Sequence, residues 1–110
     1  DGAQVDAEVL AQLAHADQVT PPPYYPDHAV SRQEWARYLN SVSGLDRRVG
    51  QVLEALRRDG LDDDTIVLFF ADNGRLEARG IHWCYDSGLH VPLIIRWPKN
   101  FPPQQQVQPG

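Results

Sequence analysis

Residues 65–71, Thr-Ile-Val-Leu-Phe-Phe-Ala, run almost wholly apolar and without polar alternation, and this run constrains the fold more than any other feature of the chain. β-Branched and aromatic residues in such a run suit a strand covered on both faces, as in a parallel sheet sandwiched between helices. Residues 91–97, Val-Pro-Leu-Ile-Ile-Arg-Trp, read as a second strand. Pro92 falls near its start, where a missing amide donor is tolerated. Two buried strands need neighbouring strands and helices on both faces, yet these 110 residues offer one strong helical segment. The sequence therefore predicts an α/β layered fold whose remaining partners lie on other polypeptide. The absence of methionine points the same way, to a piece of something longer.

The helical segment runs from Ser31 to Asp59. Ser31 with Glu34 three residues on matches a capping box, in which each side chain satisfies an orphan amide of the first turn. Apolar residues recur at Trp35, Tyr38/Leu39, Val42, Leu45, Val49, Val52/Leu53 and Leu56, which places them on one helix face. Arg57 and Arg58 suit the negative end of the helix dipole, and Gly60 suits the left-handed residue that follows a helix. Upstream, Val5, Val9 and Leu13 fit a short helix within residues 1–18. Pro21-Pro22-Pro23-Tyr24-Tyr25-Pro26-Asp27 reads as an extended connecting strap or, functionally, as a ligand for an aromatic groove. Asp62-Asp63-Asp64 reads as a solvated turn, since adjacent acids lack the alternating oxygens and glycine of a calcium loop. Residues 1–30 form a strap-like lead-in and 99–110 an irregular tail of one partial domain.

Several classes of function drop out. A formal net charge of -5 with no basic run argues against a reader of nucleic-acid backbones. The longest apolar run, Ile66 to Ala71, falls far short of the ~20 residues of a membrane span. A single cysteine, Cys84, excludes an intramolecular disulfide framework and a multi-cysteine zinc or iron–sulfur site. No phosphate-binding loop, dinucleotide fingerprint or nucleophile elbow is present.

Chemistry concentrates after the first strand, where ligands of open α/β sheets bind. Asp72 offers carboxylate oxygens and Asn73 a side-chain carbonyl, both suited to Ca²⁺ or Mg²⁺. Gly74 allows a sharp turn, and Asn-Gly is equally a plain turn dipeptide. His82 can act as acid, base or anion partner near neutrality. Cys84, flanked by aromatics, reads as an inert buried thiol. His90 reads as a surface or strand-edge residue.

These residues carry a resemblance. TIVLFFADNG followed by WCYDSGLHVPLIIRWP resembles the carboxyl-terminal part of the catalytic domain of type I, formylglycine-dependent sulfatases of the alkaline-phosphatase-like superfamily. Their pattern reads approximately T-[IV]-V-x-F-x-[ST]-D-[NH]-G, a loop, then L-Y-[ED]-x-G-[IL]-x-V-P-L-I-[IV]-R-W-P. The preceding YLNSVSGLDRRVGQVLEALRRDGLDDDTIV is similar to the long helix before that strand. The PPPYYPD strap resembles heparan-sulfamidase-like and related bacterial branches, so the likeness covers residues 20 to 98.

The resemblance implies an α/β fold, a layered α/β/α domain with a mostly parallel central sheet. It implies hydrolysis of sulfate esters or sulfamates by the whole protein. It implies a Ca²⁺ or Mg²⁺ held in part by Asp72 and Asn73, and a formylglycine made from a Cys/Ser-x-Pro-x-Arg motif. It also implies a sulfated small molecule or glycan as substrate, the rest of the catalytic domain as structural partner, and a periplasmic, secreted or lysosomal location. Two departures accompany it. Cys84 is followed by Tyr-Asp-Ser, so the formylglycine motif is absent from this chain. Ile81 occupies the position where the family usually carries a sulfate-binding lysine, which leaves His82 beside it as the candidate substrate contact. The isolated chain is expected to be inactive. The alternatives are a phosphoesterase of the same superfamily and a degenerate homologue that binds without turnover.

Overall fold

A computed structural model describes residues 13–76 and 79–100. The chain divides into two compact units, residues 1–51 and 52–110, and the long helix α1, Ala29–Arg58, runs from the first into the second.

In the first unit the lead-in is tied to the helix by side chains that grip backbone. The Asn40 side chain accepts from Ala14 N–H at 2.7 Å and donates to Ala14 O at 3.1 Å. Arg32 donates to Val19 O at 3.0 Å and forks onto both Asp27 oxygens at 2.6 and 2.8 Å. Val19, Ser31 and Ala36 are buried. Tyr24, Tyr25, Trp35 and Tyr38 form a row of neighbouring rings with centroids 5.1–6.3 Å apart. The proline strap is not extended throughout, because Tyr25 N–H bonds Pro22 O at 2.9 Å and closes a turn. The helix expected within residues 1–18 lies mostly outside the described residues, and the tail from 101 onward lies wholly outside them.

Helix α1 begins two residues before the expected cap. His28 Nδ1 accepts from Val30 N–H at 3.1 Å, which takes up an orphan amide of a first turn that starts ahead of Ser31. Ser31 is instead buried in the first turn, and Glu34 pairs forward with Arg37 at 2.6 Å. Beside this helix start, Arg32 is hydrogen-bonded to Asp27 and holds its carboxyl below the ordinary aspartate value. The pair's contribution is therefore full above that ordinary value and is lost as pH falls through the lowered one. Asp27→Asn is expected to lower stability slightly near neutral pH, where the exposed pair's contribution is full, and to flatten the acid limb of a pH-dependent unfolding series by the same amount. An unchanged acid limb counts against the pair.

The second unit opens with the end of α1. Gly60 sits at φ +70, its N–H bonds Arg57 O at 3.2 Å, and Leu61 N–H bonds Leu56 O at 2.9 Å. These two bonds form a Schellman stop, as the position of Gly60 predicts. The three aspartates make one 3₁₀ turn, Asp62–Asp64. Asp62 accepts from Arg96 at 2.9 Å and Asp64 pairs with Lys99, so cations at the end of the second strand and just after it clamp the turn before the first.

Strands β1, Val67–Phe70, and β2, Leu93–Arg96, pair antiparallel, with Val67 opposite Arg96 and Phe70 opposite Leu93. The expected parallel arrangement is not formed between these two strands. A parallel pair needs a crossover that returns to the starting end of the first strand. Among the described residues between the strands there is no such crossover, and Ala71 N–H still bonds Pro92 O at 3.3 Å. Both faces are apolar as read from the sequence, but Val67 and Phe69 are only half-buried and the alternate side chains of β1 are exposed. Phe70 is 64% and Leu93 66% exposed, and Leu68, Ile94 and Ile95 are also exposed. Among the described residues no helix is long and apolar enough to cross a membrane.

Candidate metal and anion site

The candidate site residues Asp72, Asn73 and His82 lie in the loop between β1 and β2, and glycine backbone builds that loop. Gly74 N–H bonds Gly88 O at 2.9 Å. A Cβ on Gly74 would lie 2.0 Å from Ser87 O and 2.6 Å from Gly88 Cα, and one on Gly88 would lie 2.4 Å from Trp83 O and 2.6 Å from Gly80 O. The chain leaving β1 is thus pressed against the one-turn helix α2, Asp86–Leu89, at distances only hydrogen permits. Gly74 serves close approach, whereas the sequence reading assigned it a sharp turn. Among the described glycines only Gly60 has a positive φ. The plain hairpin-turn reading of Asn73-Gly74 also fails, since β2 begins 19 residues after Gly74.

Asp72 and Asn73 are brought together. Asn73 Nδ2 donates to Asp72 Oδ1 at 2.8 Å, while Asn73 Oδ1 is buried without a hydrogen-bond partner. A buried carbonyl oxygen left unpaired costs about 1–3 kcal/mol unless something accepts its lone pairs. A hard cation does so, and an adjacent carboxylate supplies charge for it. The two residues therefore fit Ca²⁺ or Mg²⁺ as a partial shell. Two side chains cannot complete a shell of about six to eight oxygens, and among the described residues no cluster of three or more His, Cys, Asp or Glu could hold a metal.

His82 lies on the same loop and is exposed. Its neighbour Ile81 ties the segment back, with its N–H bonding Arg75 O at 2.9 Å. No described contact joins His82 to Asp72 or Asn73. Trp83 and Tyr85 stack at 6.1 Å, and the Arg79 guanidinium lies over the Tyr85 ring at 5.1 Å. Cys84 is exposed, contrary to the buried thiol expected from its aromatic flanks, because those rings pack on each other and not over the sulfur. His90 is exposed as expected and lies 3.5 Å from Asp86.

Two features escaped the sequence reading. Arg79 holds φ +64, a left-handed conformation uncommon outside glycine. Ser87 Oγ donates to Arg79 O at 2.5 Å and pins that conformation. The spacing of Gly80 and Gly88 around an aromatic pair was the available signal for the tight packing. Nothing in the sequence marked the backbone of Arg79.

Comparison with known proteins follows the same residues. The family model described as Sulfatase matches residues 9–110. The chain is 39% identical over 96 residues to an ulvan-active sulfatase of Formosa agariphila, covering 86% of this chain and 16% of that protein. It is 35% identical over 72 residues to an endo-4-O-sulfatase of Bacteroides thetaiotaomicron, covering 61% and 14%. It is 34% identical over 79 residues to the N-sulphoglucosamine sulphohydrolase of Homo sapiens, covering 71% and 16%. The chain thus spans about one-sixth of the length of the curated relatives it matches. No solved structure matches it.

Proposed function

The chain belongs to the sulfatase family, and on that premise we propose that it forms the carboxyl-terminal part of a sulfuric ester hydrolase's catalytic domain. In this reading it supplies two metal ligands and part of the active-site rim. One observation carries it: the buried, unpartnered Asn73 Oδ1 beside an exposed carboxylate, at the end of β1 in a chain of this family. The substrate is a sulfated small molecule or glycan, a class supported by the names of the relatives above.

A bound Ca²⁺ or Mg²⁺ would hold charge on the nucleophile and polarise the sulfuryl oxygen. The chain's own residues prepare that site. Asn73 Nδ2 fixes Asp72 Oδ1, so the carboxylate keeps one orientation, with Asp72 Oδ2 and Asn73 Oδ1 as the oxygens left for a cation. His82, exposed on the adjoining loop, donates to the sulfate group. The nucleophile and the remaining ligands come from polypeptide outside this chain, which completes the mostly parallel sheet and covers Phe70 and Leu93. The nucleophile is a formylglycine.

The isolated 110-residue chain is expected to release no sulfate from an aryl sulfate, while the longer protein does so and stops when its metal is chelated. Hydrolysis of an aryl phosphate in preference to the sulfate would move the chain to a phosphoesterase. Ile81 favours a second reading, a homologue that binds without turnover. Metal-dependent binding of a sulfated ligand with no hydrolysis by the longer protein would establish it.

A further inference from the structure

One residue, Ser87, holds two parts of the loop between β1 and β2. Its carbonyl oxygen lies so close to Gly74 that a Cβ there would be 2.0 Å away, and Gly74 N–H bonds the next carbonyl, Gly88 O, at 2.9 Å. Gly74 directly follows Asn73, so the main chain of residues 87 and 88 rests on the segment that carries Asp72 and Asn73. The side chain of Ser87 grips the other part. Its Oγ donates to Arg79 O at 2.5 Å, just ahead of His82 in the chain. Arg79 holds φ +64, a backbone conformation that a non-glycine residue keeps only where its surroundings impose it. Beyond Arg79, Ile81 N–H bonds Arg75 O at 2.9 Å and Trp83 N–H bonds Gly80 O at 3.0 Å. Those two bonds run between main-chain groups and need no particular side chain. The bond to Arg79 O needs a hydroxyl donor at position 87.

We propose that Ser87 is a positioning residue for the sulfated substrate, its hydroxyl holding the segment that carries His82 on a base that its own main chain anchors beside Asn73. His82 is exposed, and no described hydrogen bond or ion pair orients its imidazole. The place of that ring is therefore set by the backbone of residues 79–83. A bond that fixes this backbone before a ligand arrives removes part of the ordering cost of binding. The contacts at Gly74 are made by main chain and do not depend on the hydroxyl. Loss of the hydroxyl thus frees the His82 segment and leaves Asp72 and Asn73 where they are, so the effect falls on substrate affinity and spares metal affinity. This assignment rests on the reading of the chain as part of a sulfatase in which His82 meets the sulfate group.

The test uses the longer protein, with an aryl sulfate as substrate and Ca²⁺ titrated separately without it. Ser87→Ala is expected to raise KM by roughly threefold to tenfold, the equivalent of one net hydrogen bond, with Ca²⁺ affinity unchanged. Ser87→Thr keeps the donor and should return KM toward wild type. In a His82→Ala background, Ser87→Ala should raise KM no further, because both changes act on one contact. Hydrogen exchange reads the hold itself: the amides of Ile81 and Trp83 should exchange faster in Ser87→Ala while those of β1 do not change. A general loss of structure would instead weaken Ca²⁺ binding and loosen β1 as well, and that result overturns the assignment. So does an unchanged KM, a full added effect in the His82→Ala background, or unchanged exchange at Ile81 and Trp83. Where the longer protein binds the aryl sulfate but hydrolyses none, its dissociation constant takes the place of KM. A Ser87→Ala response in that constant keeps the positioning role while the hydrolase reading falls, and a protein that binds no aryl sulfate overturns both.

Discussion

Gly74→Ala is expected to cost the longer protein about 3 kcal/mol or more of unfolding free energy, at or above the upper end for overpacking a well-filled interior. The added methyl would lie 2.0 Å from Ser87 O, 2.6 Å from Gly88 Cα and 2.9 Å from Ser87 C. All three are main-chain atoms, so no side chain can swing aside to relieve the clash. The only relief is to part the loop from the end of β1. That breaks the 2.9 Å bond from Gly74 N–H to Gly88 O and moves Asp72 and Asn73 away from the segment bearing Arg79 and His82. Gly88→Ala meets the same obstacle from the other side, at 2.4 Å from Trp83 O. Because one substitution already separates the two segments, the double variant should cost clearly less than the sum of the singles. Denaturant unfolding of the three variants measures this. A Gly74→Ala protein within about 0.5 kcal/mol of wild type, the range of an innocuous surface change, would mean that the close approach does not occur.

That packing was the least legible part of the sequence. A glycine needed for a positive φ leaves a local trace, as Gly60 does after Arg57 and Arg58, and its position was readable. A glycine needed because another segment of chain passes within 3 Å leaves only the faint one of glycine spacing, since Gly88 lies 14 residues from Gly74. The same division runs through the rest of the chain. The apolar spacing from Trp35 to Leu56 placed α1, and the apolar runs placed β1 and β2 to within two residues. These are period and composition, which are local. The start of α1 was misplaced because an imidazole, His28, caps a turn that begins ahead of Ser31. The antiparallel pairing of β1 with β2 is marked in neither run, because it depends on the path of the chain between them, which no propensity reveals. Cys84 was assigned to the interior on the strength of its flanks, yet exposure depends on where Trp83 and Tyr85 find each other. Asp72 and Asn73 were singled out from residue type and strand end alone. Only the structure added the hydrogen bond between them and the orphaned Asn73 Oδ1.

The orphaned oxygen bears directly on the largest effect expected at the site, that of Asp72→Ala in the longer protein. In the proposed reading Asp72 is a charged ligand, and removing it should lower kcat for an aryl sulfate by at least about a hundredfold to a thousandfold, the loss seen when one group stabilising transition-state charge is deleted. Affinity for Ca²⁺, titrated directly without substrate, should fall with it. The loss belongs in kcat more than in KM if the cation's main work is to hold charge that develops during reaction. Asp72→Asn separates two roles. It keeps an oxygen able to accept from Asn73 Nδ2, now at 2.8 Å from Asp72 Oδ1, but removes the charge. If orientation of Asn73 is what matters, Asp72→Asn should retain most of the metal affinity. If charge matters, it should behave like Asp72→Ala, and that is the expected result, because a neutral pair of carbonyl oxygens competes poorly with water for a divalent ion. Asn73→Ala removes both the buried oxygen and the donor that holds Asp72, so it should weaken metal binding as well. Metal affinity unchanged in both Asp72→Ala and Asn73→Ala would show that the pair holds no cation. The unpaired oxygen of Asn73 would then be a stability cost that this fold carries for some other reason.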